Sequence, residues 1–177
     1  SNRGKIKSYL EIGPGHGLFF KEAIEIIGNN CKYTAVDISS ISLNLTKSII
    51  SFFQLGDNSI AYLNEDILNY KSKELYDFIV MGEVLEHVER PDILLSRLNS
   101  ILSESGSVFI STCVDCPTID HVYHFKSIDE IRGMIKQTGF DIVSDKILPV
   151  ENLPIGEIID RKIAINYSAI IRKINIL

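Results

Sequence analysis

Three glycines at alternate positions, Gly13, Gly15 and Gly17, directly follow a short apolar run at residues 9–12. The apolar run predicts a buried strand, and the amphipathic pattern that starts at Leu18 predicts a helix. Glycine has no Cβ, so its backbone can turn sharply and let a ligand approach closely. A strand, a glycine-rich turn and a helix in this order are typical of the opening unit of a nucleotide-binding α/β domain.

The spacing of the glycines separates two kinds of nucleotide site. A dinucleotide site requires G-x-G-x-x-G, and Leu18 stands where its third glycine would be. The spacing found here, E-x-G-x-G-x-G from Glu11 to Gly17, resembles the first motif of the class I S-adenosylmethionine (SAM) dependent methyltransferases. The alternative is a glycine-rich turn whose only role is packing.

A second motif gives the more specific resemblance. Residues 83–88 read E-V-L-E-H-V and come directly after a largely apolar segment at residues 76–81. They closely resemble a signature of the ubiquinone-biosynthesis O-methyltransferase-like branch of the same family. This resemblance implies a SAM-dependent methyltransferase with a small-molecule acceptor.

The resemblance also implies where the nucleoside of SAM binds. Glu11 and the three glycines would form the first part of the cofactor site. Asp37 ends the second predicted strand, where an acid can accept hydrogen bonds from both ribose hydroxyls, and Ile38 follows it. The alternative for Asp37 is a helix N-cap. Asp66 and Ile67 would meet the adenine amino group and ring.

The methionine half of SAM would lie beside the end of the fourth predicted strand. Gly82 and Glu83 would line the reaction centre there. The resemblance places His87 near the sulfonium, where it would cover the cofactor or orient a neighbouring group. The alternative is a structural histidine that is hydrogen-bonded within its loop.

A loop at residues 113–126 carries two cysteines and two histidines. Cys113, Cys116, His121 and His124 have the spacing C-x2-C-x4-H-x2-H, which offers four possible zinc ligands. The spacing matches no zinc module, and a cysteine at the end of a buried strand is usually a small apolar residue of the core. We therefore expect no metal.

The same loop is also a candidate wall of the acceptor site. In the resembling branch a His-x-x-x-Phe segment stands at this place, and His121 and Phe125 match it. His121 and His124 then become candidates for the general base or for acceptor positioning. The alternative is that His121 only holds the loop in place.

Apolar segments alternate with helical patterns along the rest of the chain. Strands are predicted at residues 31–36, 59–63, 76–81, 107–112, 140–148 and 164–171, with a turn at residues 103–106. Alternation followed by a final strand pair predicts an α/β fold with a doubly wound, Rossmann-like, seven-stranded and mostly parallel sheet, with one antiparallel strand near the C-terminus. We expect a single methyltransferase domain over residues 1–177, without the helices that usually precede the first strand in the family.

Helical spacing also predicts which residues form the apolar faces of the first two helices. The first face is predicted at Leu18, Phe19, Ala23, Ile26 and Ile27. The second is predicted at Ile41, Leu45, Ile49 and Phe52. Ser39 or Ser40 is the expected N-cap of the second helix, which would leave Asp37 free.

Charge and composition limit the partners. The formal net charge of −5 leaves no basic surplus to offset phosphates, so no nucleic-acid partner is expected. No apolar stretch is long enough to span a bilayer and no signal peptide opens the chain, so we expect no membrane partner and a cytoplasmic location. The odd number of cysteines, three, does not predict a disulfide framework.

These features together predict an enzyme that transfers a methyl group from SAM to a small-molecule acceptor, at oxygen if the branch resemblance holds. The alternatives are a methyltransferase domain of a larger natural-product assembly enzyme and a methyltransferase of RNA or protein. A SAM-binding scaffold protein without turnover is a further alternative, since the motifs bear on cofactor binding more than on catalysis.

Overall fold

The computed structural model describes residues 6–55 and 60–174. The strands are β1 (Ser8–Ile12), β2 (Lys32–Asp37), β3 (Ile60–Asn64), β4 (Tyr76–Gly82), β5 (Leu102–Val114), β6 (Phe140–Pro149) and β7 (Ile165–Lys173). The helices are α1 (Leu18–Ile27), α2 (Ser40–Phe52), α3 (Pro91–Ile101), α4 (Ile128–Gln137) and α5 (Ile155–Asp160), and a 3-10 turn lies at Leu85–His87. The predicted start of the third strand at Ser59 lies outside the described residues.

The strands form one seven-stranded sheet in the order β3-β2-β1-β4-β5-β7-β6. Strand β1 runs parallel to β2 and to β4, and β2 runs parallel to β3, whereas β6 and β7 are antiparallel. The predicted fold class is therefore confirmed. The strand order changes direction between β1 and β4, and folds of this type bind ligands beside the carboxyl ends of the strands at such a point.

Contacts within the chain divide it into two compact units. The first unit comprises Ser1–Gly82 and Ile101–Val108, and the second comprises Glu83–Ser100 and Phe109–Leu177. The single domain over residues 1–177 stays a prediction. No helix of the described residues combines the length and apolar character that crossing a bilayer requires.

Aromatic rings fill the core of the first unit beneath α1. Tyr9 on β1 lies 5.6 Å from Phe20 on α1 and 5.7 Å from Tyr33 on β2, measured between ring centroids. Phe20 and Tyr33 are 6.0 Å apart, so the three rings contact one another. Such pairs add to the free energy of folding beyond the burial of apolar area.

The predicted apolar face of α1 is wrong. The helix buries Phe20 and Ile24, whereas Leu18, Phe19 and Ile26 are about half exposed. Most residues of this helix are apolar, so spacing alone permits several faces. The aromatic rings of β1 and β2 decide between these faces, because Phe20 packs against them.

The predicted face of α2 is wrong for a different reason. The helix buries Leu43, Thr46 and Ile50, while Ile41 and Phe52 are 80% and 78% exposed. A polar residue, Thr46, lies at the centre of the buried face, so the spacing of apolar residues alone does not reveal this face. The prediction of Ser39 as N-cap is confirmed, because its side chain accepts a hydrogen bond from the backbone N–H of Ser42.

The predicted turn at residues 103–106 is also wrong, because these residues belong to β5. The Ser103 hydroxyl donates to the Asp77 carboxylate at 3.2 Å, and the same carboxylate accepts the backbone N–H groups of Lys7 and Ser8. This long-range network holds the start of β5, and a local turn pattern does not reveal it.

Phe20→Ala should lower the free energy of unfolding by about 3–5 kcal/mol, the range for deleting a buried phenylalanine ring. Phe19→Ala is the matched control, since Phe19 is 54% exposed on the same helix, and it should cost less than about 1 kcal/mol. Urea denaturation followed by circular dichroism measures both. Equal losses would contradict the buried face assigned to α1.

Candidate active site

The glycine turn, residues 13–17, leads from β1 into α1. Its three glycines, Gly13, Gly15 and Gly17, have φ values of 62°, 56° and 74°, in the left-handed region that favours glycine. A Cβ at Gly17 would lie 2.8 Å from the side chain and 3.0 Å from the Cα of Thr46, so this glycine permits α1 and α2 to approach. A Cβ at Gly15 would meet no heavy atom within 4 Å, which leaves the space above it open to a ligand.

Helix α2 fixes the backbone of this turn. The hydroxyls of Thr46 and Ser42 donate to the Gly15 carbonyl oxygen at 3.1 Å and 3.3 Å. The backbone N–H of Gly13 donates to the Val36 carbonyl of β2 at 2.9 Å. The turn is thus held from two sides, while its Gly15 Cα remains open.

Asp37 lies half-buried at the carboxyl end of β2, beside the start of α2. Its carboxylate accepts the backbone N–H of Ser39 at 2.8 Å and the Ser42 hydroxyl at 2.5 Å. Asp37 is therefore not free, contrary to the expectation from the sequence. A ribose bound at Asp37 would have to displace the Ser42 hydroxyl from the carboxylate, and the ribose role of Asp37 stays a prediction. Ile38, next in the chain, is 78% exposed.

The residues predicted to meet adenine follow β3. The Asp66 carboxylate accepts the Leu68 N–H at 2.9 Å and the Asn69 side-chain amide at 3.2 Å, and it thereby stabilises the turn after the strand. Ile67 is buried, with 7% exposure. The structure thus shows a structural role for Asp66, and the adenine role of the pair stays a prediction.

Glu11 places a carboxyl group inside the core of the first unit. It is 2% exposed, and the Tyr9 hydroxyl donates to its Oε2 at 2.5 Å. Burial raises the pKa of Glu11 to about 7, and the hydrogen bond from Tyr9 opposes only part of this rise. Glu11 is therefore a buried acid that titrates near neutral pH.

In the second unit, Glu83 begins the segment that follows β4. Glu83 has a φ of 53°, which is uncommon for a residue other than glycine and often marks a functional site. Its backbone N–H donates to the Ser111 carbonyl at 3.0 Å, and the Ser111 hydroxyl donates to its carboxylate at 2.6 Å. The exposed carboxylate of Glu83 is held at the second half of β5. Gly82, the last residue of β4, is half-buried in the first unit.

Glu86 is a residue that the sequence analysis did not single out. It is 1% exposed, and its carboxylate accepts the Thr112 hydroxyl of β5 at 2.8 Å. Burial raises the pKa of Glu86, and the hydrogen bond from Thr112 opposes this rise. The signal that could have found it is its place beside His87 in the E-V-L-E-H-V motif.

The imidazoles of His87 and His121 contact each other, with centroids 5.0 Å apart and an interplanar angle of 84°. The Nδ1 atom of His121 lies 2.6 Å from the Cys116 carbonyl oxygen, and Nδ1 of His87 lies 2.9 Å from the Asp120 carbonyl oxygen. A carbonyl oxygen only accepts, so in the neutral ring each Nδ1 carries the proton and each Nε2 keeps a lone pair. The structure thus brings His87, predicted for the cofactor, beside His121.

The second predicted catalytic histidine, His124, is exposed and its ring centroid lies 6.5 Å from that of His121. The His121 and His124 rings are therefore close enough for one acceptor molecule to contact both. Their assignment as catalytic groups stays a prediction.

Several of these side chains lie close enough to hold a metal ion. Among the residues that the structure describes, three groups have ligand atoms within 4.8 Å of one another: Cys113, Cys116 and His121; Glu86, His87 and His121; and Glu83, Glu86 and Cys113. Nδ1 of His121, 3.9 Å from the Cys113 sulfur, already donates to a carbonyl oxygen. Burial raises the pKa of the Cys113 thiol, whereas zinc binds the thiolate. The absence of stoichiometric zinc stays a prediction.

The comparison with known families decides the class of protein. A profile of the methyltransferase domain family matches residues 2–145 of the chain. The chain belongs to the methyltransferase domain family. This membership confirms the enzyme class predicted from the two motifs.

Two curated relatives of the methyltransferase are named for methylation at different atoms, one at oxygen and one at nitrogen. The chain is 31% identical over 111 residues to the mitochondrial ubiquinone biosynthesis O-methyltransferase of Dictyostelium discoideum, a match that covers 58% of the chain and 34% of the relative. It is 25% identical over 140 residues to (S)-coclaurine N-methyltransferase of Papaver somniferum, covering 72% of the chain and 35% of the relative. The chain thus spans about a third of the length of these relatives.

A solved structure shares the fold of the methyltransferase over nearly the whole chain. It is the O-methyltransferase of a trans-AT PKS multienzyme of Brevibacillus brevis, in complex with S-adenosyl-L-homocysteine. The TM-score is 0.75 at 18% identity, and the match covers 98% of the chain and 68% of that structure. At this identity the likeness shows the fold alone.

The stability of the ligand-free methyltransferase should fall as pH rises from about 4.5 to above 7. Folded Glu11 has its pKa raised to about 7, so in this window the folded state binds more protons than the unfolded state. Its contribution is complete below the ordinary glutamate pKa and is lost as pH rises through 7. Glu11→Gln keeps an oxygen acceptor for Tyr9 but does not titrate, so it should flatten the profile by up to about 3 kcal/mol.

Urea denaturation at a series of pH values from 5 to 8 measures this effect. Glu22→Gln is the control, because Glu22 lies on the exposed surface of α1. It should leave the slope of the wild-type profile unchanged. Parallel profiles for wild type and Glu11→Gln would contradict the buried, titrating acid.

Proposed function

We propose that this chain binds SAM at the glycine turn and transfers its methyl group to an oxygen atom of a small-molecule acceptor. The observation that carries the proposal is the open space above Gly15 beside the carboxylate of Asp37, in a chain of the methyltransferase domain family. The sulfonium of SAM supplies an electrophilic methyl group. The protein has to bind the donor, align the acceptor and accept a proton.

The roles proposed for the first unit concern the nucleoside. Asp37 would accept the ribose hydroxyls in place of the Ser42 hydroxyl, with Ile38 beside the ribose. Asp66 and Ile67 would contact the adenine. The buried carboxyl of Glu11 would attract the positively charged ammonium group of SAM, because a nearby cation stabilises the ionised form of an acid. These roles are supported by the positions of the groups in the chain, near the carboxyl ends of β1, β2 and β3.

The roles proposed for Gly82, Glu83 and His87 concern the methionine half of SAM. Gly82 ends β4, and Glu83 presents an exposed carboxylate directly after it. Transfer is an in-line displacement, in which the acceptor atom must be held about 3 Å from the methyl carbon. Small shifts of Gly82 and Glu83 would therefore change turnover more than binding, whereas a His87 that covers the cofactor would also contribute to SAM affinity.

The role proposed for His121 is that of the general base. Its Nδ1 proton is held by the Cys116 carbonyl, so Nε2 is the atom that can accept a proton from an acceptor hydroxyl. The imidazolium formed in this way keeps its bond to Cys116, which stabilises the product of proton transfer. His124 would position the acceptor.

Methylation of an amine is the second candidate, and the N-methyltransferase relative supports it. An amine nucleophile needs alignment and desolvation but no general base before transfer, so the pair of Nδ1-bonded histidines supports oxygen more directly. A domain of a larger natural-product assembly enzyme stays open, as the polyketide synthase origin of the structure that shares this fold suggests. RNA or protein substrates and a scaffold role are less well supported by a chain with net charge −5 and these histidines.

The test is a transfer assay with SAM deuterated at the methyl group. The acceptors are phenols, aliphatic alcohols, and primary and secondary amines, and the products are identified by mass spectrometry. We expect a deuterated methyl ether. Products at nitrogen alone would contradict the oxygen assignment, and SAM binding without any product would favour the scaffold.

Gly15→Val should abolish SAM binding and leave a folded protein, because the branched side chain would occupy the space above the turn. Gly28→Val is the matched control. Gly28 also has a positive φ, 85°, and open space for a Cβ, but it caps the far end of α1. Both substitutions add backbone strain, and Gly28 has a ψ of −173°. Circular dichroism therefore first checks that each variant folds, and calorimetric titration with SAM then compares them. Equal affinity in both variants would place the cofactor elsewhere.

His121→Ala should lower turnover by about 100-fold or more, the range for loss of a general base, while SAM affinity stays nearly constant. His124→Ala is the comparison within the same loop, and its effect should be milder because it removes a positioning contact. Steady-state kinetics with the best acceptor from the panel measures both. If both variants keep full turnover, proximity alone must explain the rate.

A further inference from the structure

The backbone around His121 is bonded on both sides to two consecutive residues of the 3-10 turn. The Glu86 carbonyl oxygen accepts the N–H groups of Val122 and Tyr123 at 2.8 Å and 2.9 Å. The His87 ring bonds through Nδ1 to the carbonyl oxygen of Asp120 at 2.9 Å. Positions 120, 122 and 123 are therefore held, and His121 lies between them.

The turn that makes these bonds is itself fixed in the core of the second unit. Leu85 is fully buried, and the buried Glu86 carboxylate is bonded to Thr112 of β5. The backbone carbonyl of Glu86 is consequently a stationary acceptor. Since His87 follows in the same turn, its ring has a defined position from which to donate to the loop.

His121 otherwise contacts residues of its own loop, including the Cys113 sulfur at 3.9 Å from its Nδ1. Its backbone N–H donates to the Thr118 carbonyl at a long 3.3 Å, and its Nδ1 bonds to Cys116 in the same loop. The edge-to-face contact with His87 at 5.0 Å is made to a residue outside the loop. Removing His87 would therefore remove both a backbone bond next to His121 and the ring that packs against it.

We infer that His87 is a positioning residue that acts through His121. It holds the Asp120 carbonyl and packs against the His121 ring, so that Nδ1 stays bonded to Cys116 and Nε2 stays free to accept a proton. This inference rests on the proposed role of His121 as base. It differs from the prediction that His87 covers the cofactor, because it requires no effect of His87 on SAM affinity.

Two substitutions separate the hydrogen bond from the ring contact. His87→Asn retains an N–H donor near the position of Nδ1 but has no ring. His87→Phe retains a ring against His121 but has no donor. His87→Ala removes both. If His87→Ala does not fold, as judged by circular dichroism, the Asn and Phe variants still test the inference.

With the best acceptor from the panel, His87→Ala and His87→Phe should lower kcat by about 10–100-fold, the cost of misplacing a catalytic group by about 1 Å. His87→Asn should recover most of this loss. The SAM dissociation constant should change by less than about twofold in all three, because the affected atoms belong to the loop at residues 113–126, which is proposed to contact the acceptor. A weakened SAM affinity with a proportionate loss of turnover would overturn the inference and assign His87 to the cofactor.

A spectroscopic readout needs neither SAM nor an acceptor. Long-range 1H–15N spectra of protein labelled at histidine report which ring nitrogen carries the proton. In wild type His121 should show a protonated Nδ1 and a lone pair on Nε2. His87→Ala and His87→Phe should show mixed or broadened His121 signals, and His87→Asn should restore the wild-type pattern.

This readout keeps the inference separate from the proposed function. Changed His121 signals in His87→Ala, in a protein that methylates no acceptor, would retain the positioning by His87 and reject the proposed reaction. Unchanged His121 signals in both His87→Ala and His87→Phe would overturn the inference even if the enzyme methylates a hydroxyl.

Discussion

The first unit depends on the left-handed backbone of the glycine turn. That conformation lets the chain leave the buried strand β1 and start α1 at once, and the missing Cβ of Gly17 lets Thr46 of α2 lie against the turn. The same contact brings the Ser42 and Thr46 hydroxyls onto the Gly15 carbonyl. Because Ser42 also bonds Asp37, one helix places an open glycine beside a carboxylate at the carboxyl ends of β1 and β2. Helix packing and the proposed ribose contact are thus consequences of one close approach.

The second unit depends on a buried acid in a comparable way. Glu86 bonds to β5 through its carboxylate and to the histidine loop, residues 113–126, through its carbonyl oxygen. The part of this loop that follows β5 then holds His121 with its Nδ1 proton on a carbonyl oxygen. The proposed reaction needs a site for the nucleoside, which is assigned to the first unit, and a proton acceptor, which is assigned to the second.

Much of the fold follows from the sequence, because alternating strands and helices with a final strand pair permit few other arrangements. The Ser39 cap of α2 follows from a local rule as well. The buried faces of α1 and α2 do not, since apolar residues cover most of α1 and a threonine occupies the centre of the α2 interface. The contacts of the histidine loop cannot be predicted from the sequence either. The hydrogen bond from the Val122 N–H to the Glu86 carbonyl, for example, joins distant positions and leaves no periodic pattern. Local motifs therefore predict candidate residues for the cofactor, whereas the contacts that orient the histidine loop appear only in the structure.

The glycine turn and Asp37 are the proposed site of the methyl donor. A crystal structure with S-adenosyl-L-homocysteine tests it most directly, because that product shares the nucleoside of SAM. The account predicts the ribose hydroxyls within hydrogen-bond distance of the Asp37 carboxylate, with the Ser42 hydroxyl displaced and the ligand in van der Waals contact with Gly15. A ligand bound elsewhere, with the bond between Asp37 and Ser42 intact, would contradict it.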